Sequence, residues 1–357
     1  MRQIFFHIPF LNMPVYGYGV MLVVGLICGM YLAQALARRC KLDPELFANA
    51  AILALVTGIL GARLSHVLEN LRQYTNPELS VTQNFINAIN IREGGLTYYG
   101  GFLLATPSLI LYAMWKKIPV PLGMDIIAPC LMMGLGFGRI GCYLNGCCYG
   151  AECQAPWAVE FPYGSDAYVT QFDQNMLKQP VPRELLRPDH VKLADYMAEH
   201  NLASLQEPLD PELFRELNVE RSLRATEGVM KDPRLRALAV QQHANPVHPA
   251  EIYSAVTAFL ICAFLLAYFT LPHVPGRVFA GMMMIEGVFR YLLEMLRVEP
   301  AVVGRGTPYL TAIPPQSLSM VISFGLVIGG AVLWRVFGNL AAKRNPGSVA
   351  LQGRGLV

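Results

Sequence analysis

Charge is what this chain is short of. Only 15% of its 357 residues are Asp, Glu, Lys or Arg, against about a quarter in an ordinary soluble domain. With 54% hydrophobic residues and a mean hydropathy of +0.38, this excludes a disordered chain, a coiled coil and an ordinary cytosolic globule. The net charge is only +3, so no basic field points to a nucleic-acid partner, and none is expected. There is no internal repeat. No basic segment precedes the first apolar run and no small-residue cleavage site follows it, so that run is expected to remain as a span.

What the chain has in abundance is apolar length. A helix that crosses a bilayer needs roughly 20 mainly apolar residues. Seven stretches qualify: Val15–Ala37, Leu46–Val67, Leu96–Trp115, Met124–Leu144, Ile252–Leu271, Val278–Leu296 and Leu318–Phe337. The expected fold is an all-α polytopic membrane protein. Its parts are helices 1–4 in residues 1–149, a polar lobe in 150–247, helices 5–7 in 248–342 and a short tail in 343–357. Helix-like pieces of the lobe fall near Glu184–His200 and Pro211–Arg224.

Lys and Arg set the orientation. With the N-terminus outside, the inner flanks hold Arg38, Arg39, Lys41, Lys116, Lys117, Arg277, Arg335, Lys343, Arg344 and Arg354. The outer flanks hold only Arg2, Arg72, Arg92, Arg297 and Arg305. The expectation is N-out and C-in, with the lobe between the fourth and fifth helices on the extracytoplasmic side of a bacterial membrane.

Charges also stand inside the spans, where each costs on the order of 2.5–3.5 kcal/mol on insertion scales. Arg63 and His66 lie in the second span and Arg139 in the fourth. The sixth carries Glu286, Arg290, Glu294 and Arg297, whose spacing places them on one helix face with alternating sign. Intrahelical ion pairing is one reading of that row. Under the N-out assignment, however, all these charges fall in the outer half of the bilayer. So do Tyr16, Tyr18, Tyr98 and Tyr99, which an aromatic belt would also explain. Several arginines opening on the outer leaflet suit an anionic ligand, and a phospholipid headgroup is the nearest abundant one. Gly136, Gly138 and Gly141 spell G-x-G-x-x-G inside the fourth span, where helix packing is the expected role.

Four of the eight cysteines, Cys142, Cys147, Cys148 and Cys153, crowd at the outer end of the fourth span. Their C-x4-C-C-x4-C spacing matches no recognised zinc or iron–sulfur pattern, and no metal or cofactor is expected. Disulfides, free thiols, metal binding and catalysis all stay open for them. Adjacent Cys147 and Cys148 would pair outward more easily than with each other. Cys28, Cys40, Cys130 and Cys262 read as small apolar residues.

Taken in order, these residues resemble the prolipoprotein diacylglyceryl transferase family. The resemblance runs through Gly17–Met21, Gly61–Leu64, Gly94–Gly101, Asp125, Pro129, Gly136–Gly146, His248–Tyr253, Glu286–Arg290, Glu294, Arg297 and Gln316–Ser319. It departs at four places. The family's motif His falls on Tyr99, its signature Asn on Cys142, its signature Glu on Cys147, and a sixth-helix Tyr on Glu286. The resemblance implies transfer of the diacylglyceryl unit of phosphatidylglycerol to the lipobox cysteine of a preprolipoprotein signal peptide, within the bacterial cytoplasmic (inner) membrane. It implies catalytic roles for Arg139, Arg290, Tyr99, Tyr18 and Glu294. Substrate contacts are implied for Arg139, Arg290, Arg63, Asn145, Gly100, Arg297 and Glu286. The alternative is a non-catalytic or divergent relative that binds phospholipid or lipoprotein precursors. A channel or transporter fits less well, because the polar residues gather in one half of the bilayer and no inverted repeat is present.

Overall fold

The computed structural model describes residues 4–8, 13–75, 80–90, 95, 97–187, 191–205, 210–217, 219, 222–297 and 317–344. Arg2, Arg92, Gly94, Leu96, Arg305, Gln316, Arg354 and most of the 343–357 tail lie outside these residues. The chain opens with an antiparallel pair, β1 (Ile4–Ile8) and β2 (Met13–Tyr16), in the register Ile8↔Met13 to Ile4↔Tyr16. The long helices follow: α1 (Gly17–Arg39) and α2 (Pro44–Glu69), then the short α3 (Leu71–Tyr74) and α4 (Val81–Ile89), then α5 (Tyr98–Trp115) and α6 (Val120–Asn145). The polar stretch holds α7 (Asp166–Asp173), β3 (Val181–Pro182), α8 (Val191–Glu199), β4 (Ser204–Leu205), α9 (Pro211–Glu216), α10 (Thr226–Lys231) and α11 (Pro233–Ala239). Three long helices complete the fold: α12 (Ala250–Thr270), α13 (Arg277–Glu294) and α14 (Leu318–Arg344).

The protein is therefore mostly helical, with two small two-stranded sheets where an all-α chain was expected. Each stretch expected to span carries a helix. Among the described residues, α1, α2, α6, α12 and α14 are long and apolar enough to cross a membrane. The apolar run in α5 is shorter, and α13 carries Arg277, Glu286, Arg290 and Glu294 within its 18 residues. Large apolar side chains point outward along these helices: Leu103 is 70% exposed, Leu260 66% and Ile328 64%. A helix that is apolar all round belongs in lipid, which takes the place of a protein core on its outer face.

Two compact units are present. The first comprises Met1–Gly25, Leu135–Leu260 and Glu286–Leu326. Its core gathers Phe161, Tyr168, Phe172, Leu177, Leu185 and Val247, all essentially inaccessible. Polar ties fix the loops around that core. Tyr168 Oη donates to Gln242 Oε1 at 3.1 Å, and Tyr163 Oη to the Arg224 carbonyl at 2.9 Å. Glu152 receives Lys178 Nζ at 2.7 Å and Asn245 Nδ2 at 2.5 Å. Burial pushes the Glu152 carboxyl up, but these donors outweigh it and hold it below its ordinary value. Gly136 and Gly141 pack as expected: a Cβ on Gly136 would fall 2.6 Å from the Phe259 ring, and one on Gly141 3.0 Å from the Tyr18 ring.

The second unit comprises Leu26–Gly134, Ile261–Ile285 and Val327–Val357. Ala33, Leu36, Ala37, Phe47 and Ile126 form its core, with Leu266 and Phe269 against it. α2 and α5 meet along glycines. A Cβ on Gly100 would clash with the Ser65 side chain and lie 2.5 Å from the Gly61 carbonyl oxygen. Asp125, fully buried on α6, accepts the backbone N–H of Gly276 at 2.6 Å and of Phe279 at 2.9 Å. It thereby satisfies donors that the start of α13 would otherwise leave orphaned.

Candidate active site

The site in the first unit is built from α6, α12 and α13. The face of α13 defined by four-residue spacings presents Glu286, Arg290 and Glu294 to a narrow pocket, and Arg297, three residues past the helix end, joins them there. Arg139 from α6, Ser254 from α12 and Cys148, just past the end of α6, complete its polar wall. The row on α13 is tied to more than itself. Arg290 Nε donates to Ser319 Oγ at 3.1 Å, and Ser317 Oγ donates to Glu294 Oε1 at 2.9 Å. Arg297 Nη1 stands 3.5 Å from Glu294 Oε2. Glu294 is only 4% exposed, so these contacts supply what water does not. They hold two guanidinium groups in place at the pocket. Ser317 and Ser319, at the start of α14, lie in the Gln316–Ser319 segment of the resemblance, which gave them no role; the structure shows them bonded to Glu294 and Arg290.

Glu251 was also under-read. It opens α12, is fully buried, and neither carboxylate oxygen has a hydrogen-bond partner among the described residues. Its field reaches Cys148, Arg297 and Arg139. A fully buried carboxyl group without a hydrogen-bond partner is costly, which marks Glu251 as a candidate functional residue.

All eight cysteines are free. The sulfurs of Cys142, Cys147 and Cys148 lie within 4.8 Å of one another, a grouping that suits a metal ion. Cys147 Sγ donates to the Cys142 carbonyl at 3.7 Å, and Cys148 stands with Arg139 and Arg297 at the pocket. Asn145, the last residue of α6, bonds the Cys147 side chain. Tyr18, in the first turn of α1, is 39% exposed and sits against Gly141.

Three residues anticipated for the site belong to the second unit: Arg63, Tyr99 and Gly100. Arg63 is 8% exposed. It donates Nε to the Ala88 carbonyl at 2.7 Å, Nη2 to Asn87 at 2.8 Å and Nη1 to Gly95 at 3.0 Å. A cation at the C-terminal carbonyls of α4 meets the negative end of that helix. Arg63 thus fastens α4, a helix whose Val81, Phe85, Ile86 and Ile89 are all exposed. Gly100 serves the α2–α5 seam described above. Tyr99, in the first turn of α5, is 51% exposed.

These features define a mostly helical, multi-pass membrane protein with an arginine-lined polar pocket at the ends of its helices. The chain belongs to the prolipoprotein diacylglyceryl transferase family, whose model matches residues 3–336. It is 28% identical over 330 residues to the phosphatidylglycerol–prolipoprotein diacylglyceryl transferase of Rhodopirellula baltica, covering 81% of this chain and 67% of that protein. The enzyme of the same name from Corynebacterium glutamicum is 31% identical over 153 residues, 43% of this chain and about half (47%) of that protein. The Clostridium tetani enzyme is 24% identical over 290 residues, covering 81% of this chain and 83% of its own length. Family and relatives together indicate diacylglyceryl transferase activity in lipoprotein maturation.

Proposed function

We propose that this chain moves the diacylglyceryl group of phosphatidylglycerol onto the lipobox cysteine thiol of a preprolipoprotein, at the outer face of the bacterial cytoplasmic membrane. In this reading seven helices span the bilayer, N-out and C-in, and residues 150–247 form the extracytoplasmic lobe. The observation that carries it is the convergence of Arg139, Arg290 and Arg297 on one pocket in the first unit. A guanidinium is a permanent cation with a planar fork matched to phosphate. Arg139 and Arg290 hold the lipid phosphate. As the thiolate attacks the glyceryl carbon, the carbon–oxygen electron pair moves onto the phosphate, and charge grows where the two cations already stand. Glycerol phosphate leaves and a thioether remains. Glu294 and Glu286 position the arginines, Arg297 and Asn145 contact the substrate near the thiols, and Tyr18 orients the lipid. Arg63 and Gly100 enter as the substrate contacts, and Tyr99 as the catalytic residue, that the family resemblance implies.

The test is a transfer assay with purified chain, phosphatidylglycerol and a lipobox peptide. Arg139→Ala and Arg290→Ala should each lose at least about 100-fold, as for removal of an oxyanion-stabilising donor. Lys at either position should restore little, because it lacks the bidentate fork. Full activity in either Ala variant removes that residue from the mechanism.

A further inference from the structure

The three clustered thiols have no part in the chemistry above. Their proximity follows from how α6 ends. Gly146 takes a left-handed backbone (φ 75°), donates to the Tyr143 carbonyl at 3.3 Å, and lets Cys147 N–H reach the Cys142 carbonyl at 3.2 Å. This is the Schellman pattern, in which the chain folds back over its last turn. It necessarily sets Cys147 above Cys142, although four residues separate them.

A helix end of this kind explains two thiols and not three. The third arrives because Cys148 itself is left-handed (φ 67°), a conformation a non-glycine residue adopts at a cost of roughly 1–2 kcal/mol. Strain of this sort persists where the surroundings over-determine it, commonly at functional sites. Three thiolates on a zinc ion at about 2.3 Å each stand about 3.8 Å apart, close to the spacing already present. Three thiolates and one divalent cation sum to a single negative charge, and Arg139 and Arg297 stand with Cys148 on the same pocket wall. A three-ligand zinc site with an open fourth position is the catalytic form of such sites, and zinc deprotonates a thiol that binds it.

We propose that Cys142, Cys147 and Cys148 form a three-thiolate zinc site whose open position faces the arginine pocket and receives the acceptor cysteine thiol. The inference rests on the transferase reading for its substrate. The incoming thiol binds as thiolate and its proton passes to solvent water. Its sulfur then forms the carbon–sulfur bond as the carbon–oxygen bond breaks with its electron pair going to the phosphate. The neutral thioether is a poor ligand and departs. The zinc supplies the thiol activation that neither Tyr99 nor Cys147 offers in place of the family's His and Glu.

The test uses the full chain purified in detergent. Zinc content should be one per chain, and cobalt exchanged into the site should show sulfur-to-metal charge-transfer absorption. A lipobox peptide should change that spectrum, and the same peptide with Ser for Cys should not. C142S and C147S should weaken zinc by roughly 100-fold or more, since even loss of outer partners costs 10–100-fold. C153S, outside the cluster, should bind as wild type. An intact mass two hydrogens short, three thiols equally reactive with and without zinc, zinc retained in both C142S and C147S, or a cobalt spectrum blind to the thiol peptide would each overturn the site. A chain that binds zinc and the peptide thiol but transfers no lipid supports the site and overturns the transferase reading alone. Full transfer by metal-free chain overturns the site alone.

Discussion

Replacing Asp125 by Ala should unfasten the start of α13. The carboxylate is fully buried and accepts two backbone donors, Gly276 N–H and Phe279 N–H. Each donor left unmet costs about 1–3 kcal/mol. Loss of a negative charge at a helix N-terminus adds about 0.3–1 kcal/mol. Because these terms overlap, the expected loss is about 3–5 kcal/mol, in the severe tail for single substitutions. In detergent the melting temperature should fall by about 10 °C, at a few degrees per kcal/mol. Asp125→Asn keeps one acceptor oxygen and should lose about half as much. The same carboxylate lies 3.6 Å from His273 Nε2, while His273 Nδ1 meets the Leu271 carbonyl at 2.7 Å. Burial pushes the imidazole pKa down, but Asp125 and that carbonyl outweigh it, so the folded value is above 6.5. A raised histidine contributes stability fully below pH 6.5 and loses it as pH climbs through the folded value. The melting advantage of wild type over His273→Gln should therefore be largest in mild acid and vanish at alkaline pH. A D125A protein that melts within about 2 °C of wild type would refute the capping argument, and an H273Q difference that grows with pH would refute the pairing of His273 with Asp125.

Tyr99→Phe should reduce lipid transfer modestly and Tyr99→His should keep or raise it. Near-total loss in the Phe variant with normal lipid binding would make the Tyr99 hydroxyl part of the chemistry instead of a lipid-orienting group. Gly100→Ala should destabilise by about 1–3 kcal/mol through overpacking against Ser65 and the Gly61 carbonyl, read as a lower melting temperature; an unchanged value would mean the α2–α5 seam is not tight. A single cysteine introduced at the N-terminus of a cysteine-free variant should be labelled by a membrane-impermeant reagent from outside. Labelling only from the cytoplasm would reverse the proposed topology and the face on which the site opens.

The amino-acid order by itself determined where the long helices run, because apolar length is a local property and lipid asks for little else. It also determined that Glu286, Arg290 and Glu294 share a face, since 3.6 residues per turn allow no other outcome within a helix; Arg297, expected in the same row, lies past the helix end and reaches the pocket from a turn. Local pattern left other features undisclosed. Arg63 read as one more cation for an anionic ligand; the structure adds that its donors meet the carbonyls of α4, an element whose carbonyl positions hydropathy does not disclose. The hairpin of β1 and β2 was invisible beside the apolar run that begins within β2. Only the tertiary structure joined Asp125 to α13 across 151 residues, because a cap is a matter of where an oxygen stands and not of which residue precedes the helix. It alone brought Cys142, Cys147 and Cys148 together. Metal spacing rules read a chain that loops outward; here a left-handed glycine and a left-handed cysteine turn it back onto its own last turn, and backbone dihedral angles of that kind are selected by packing.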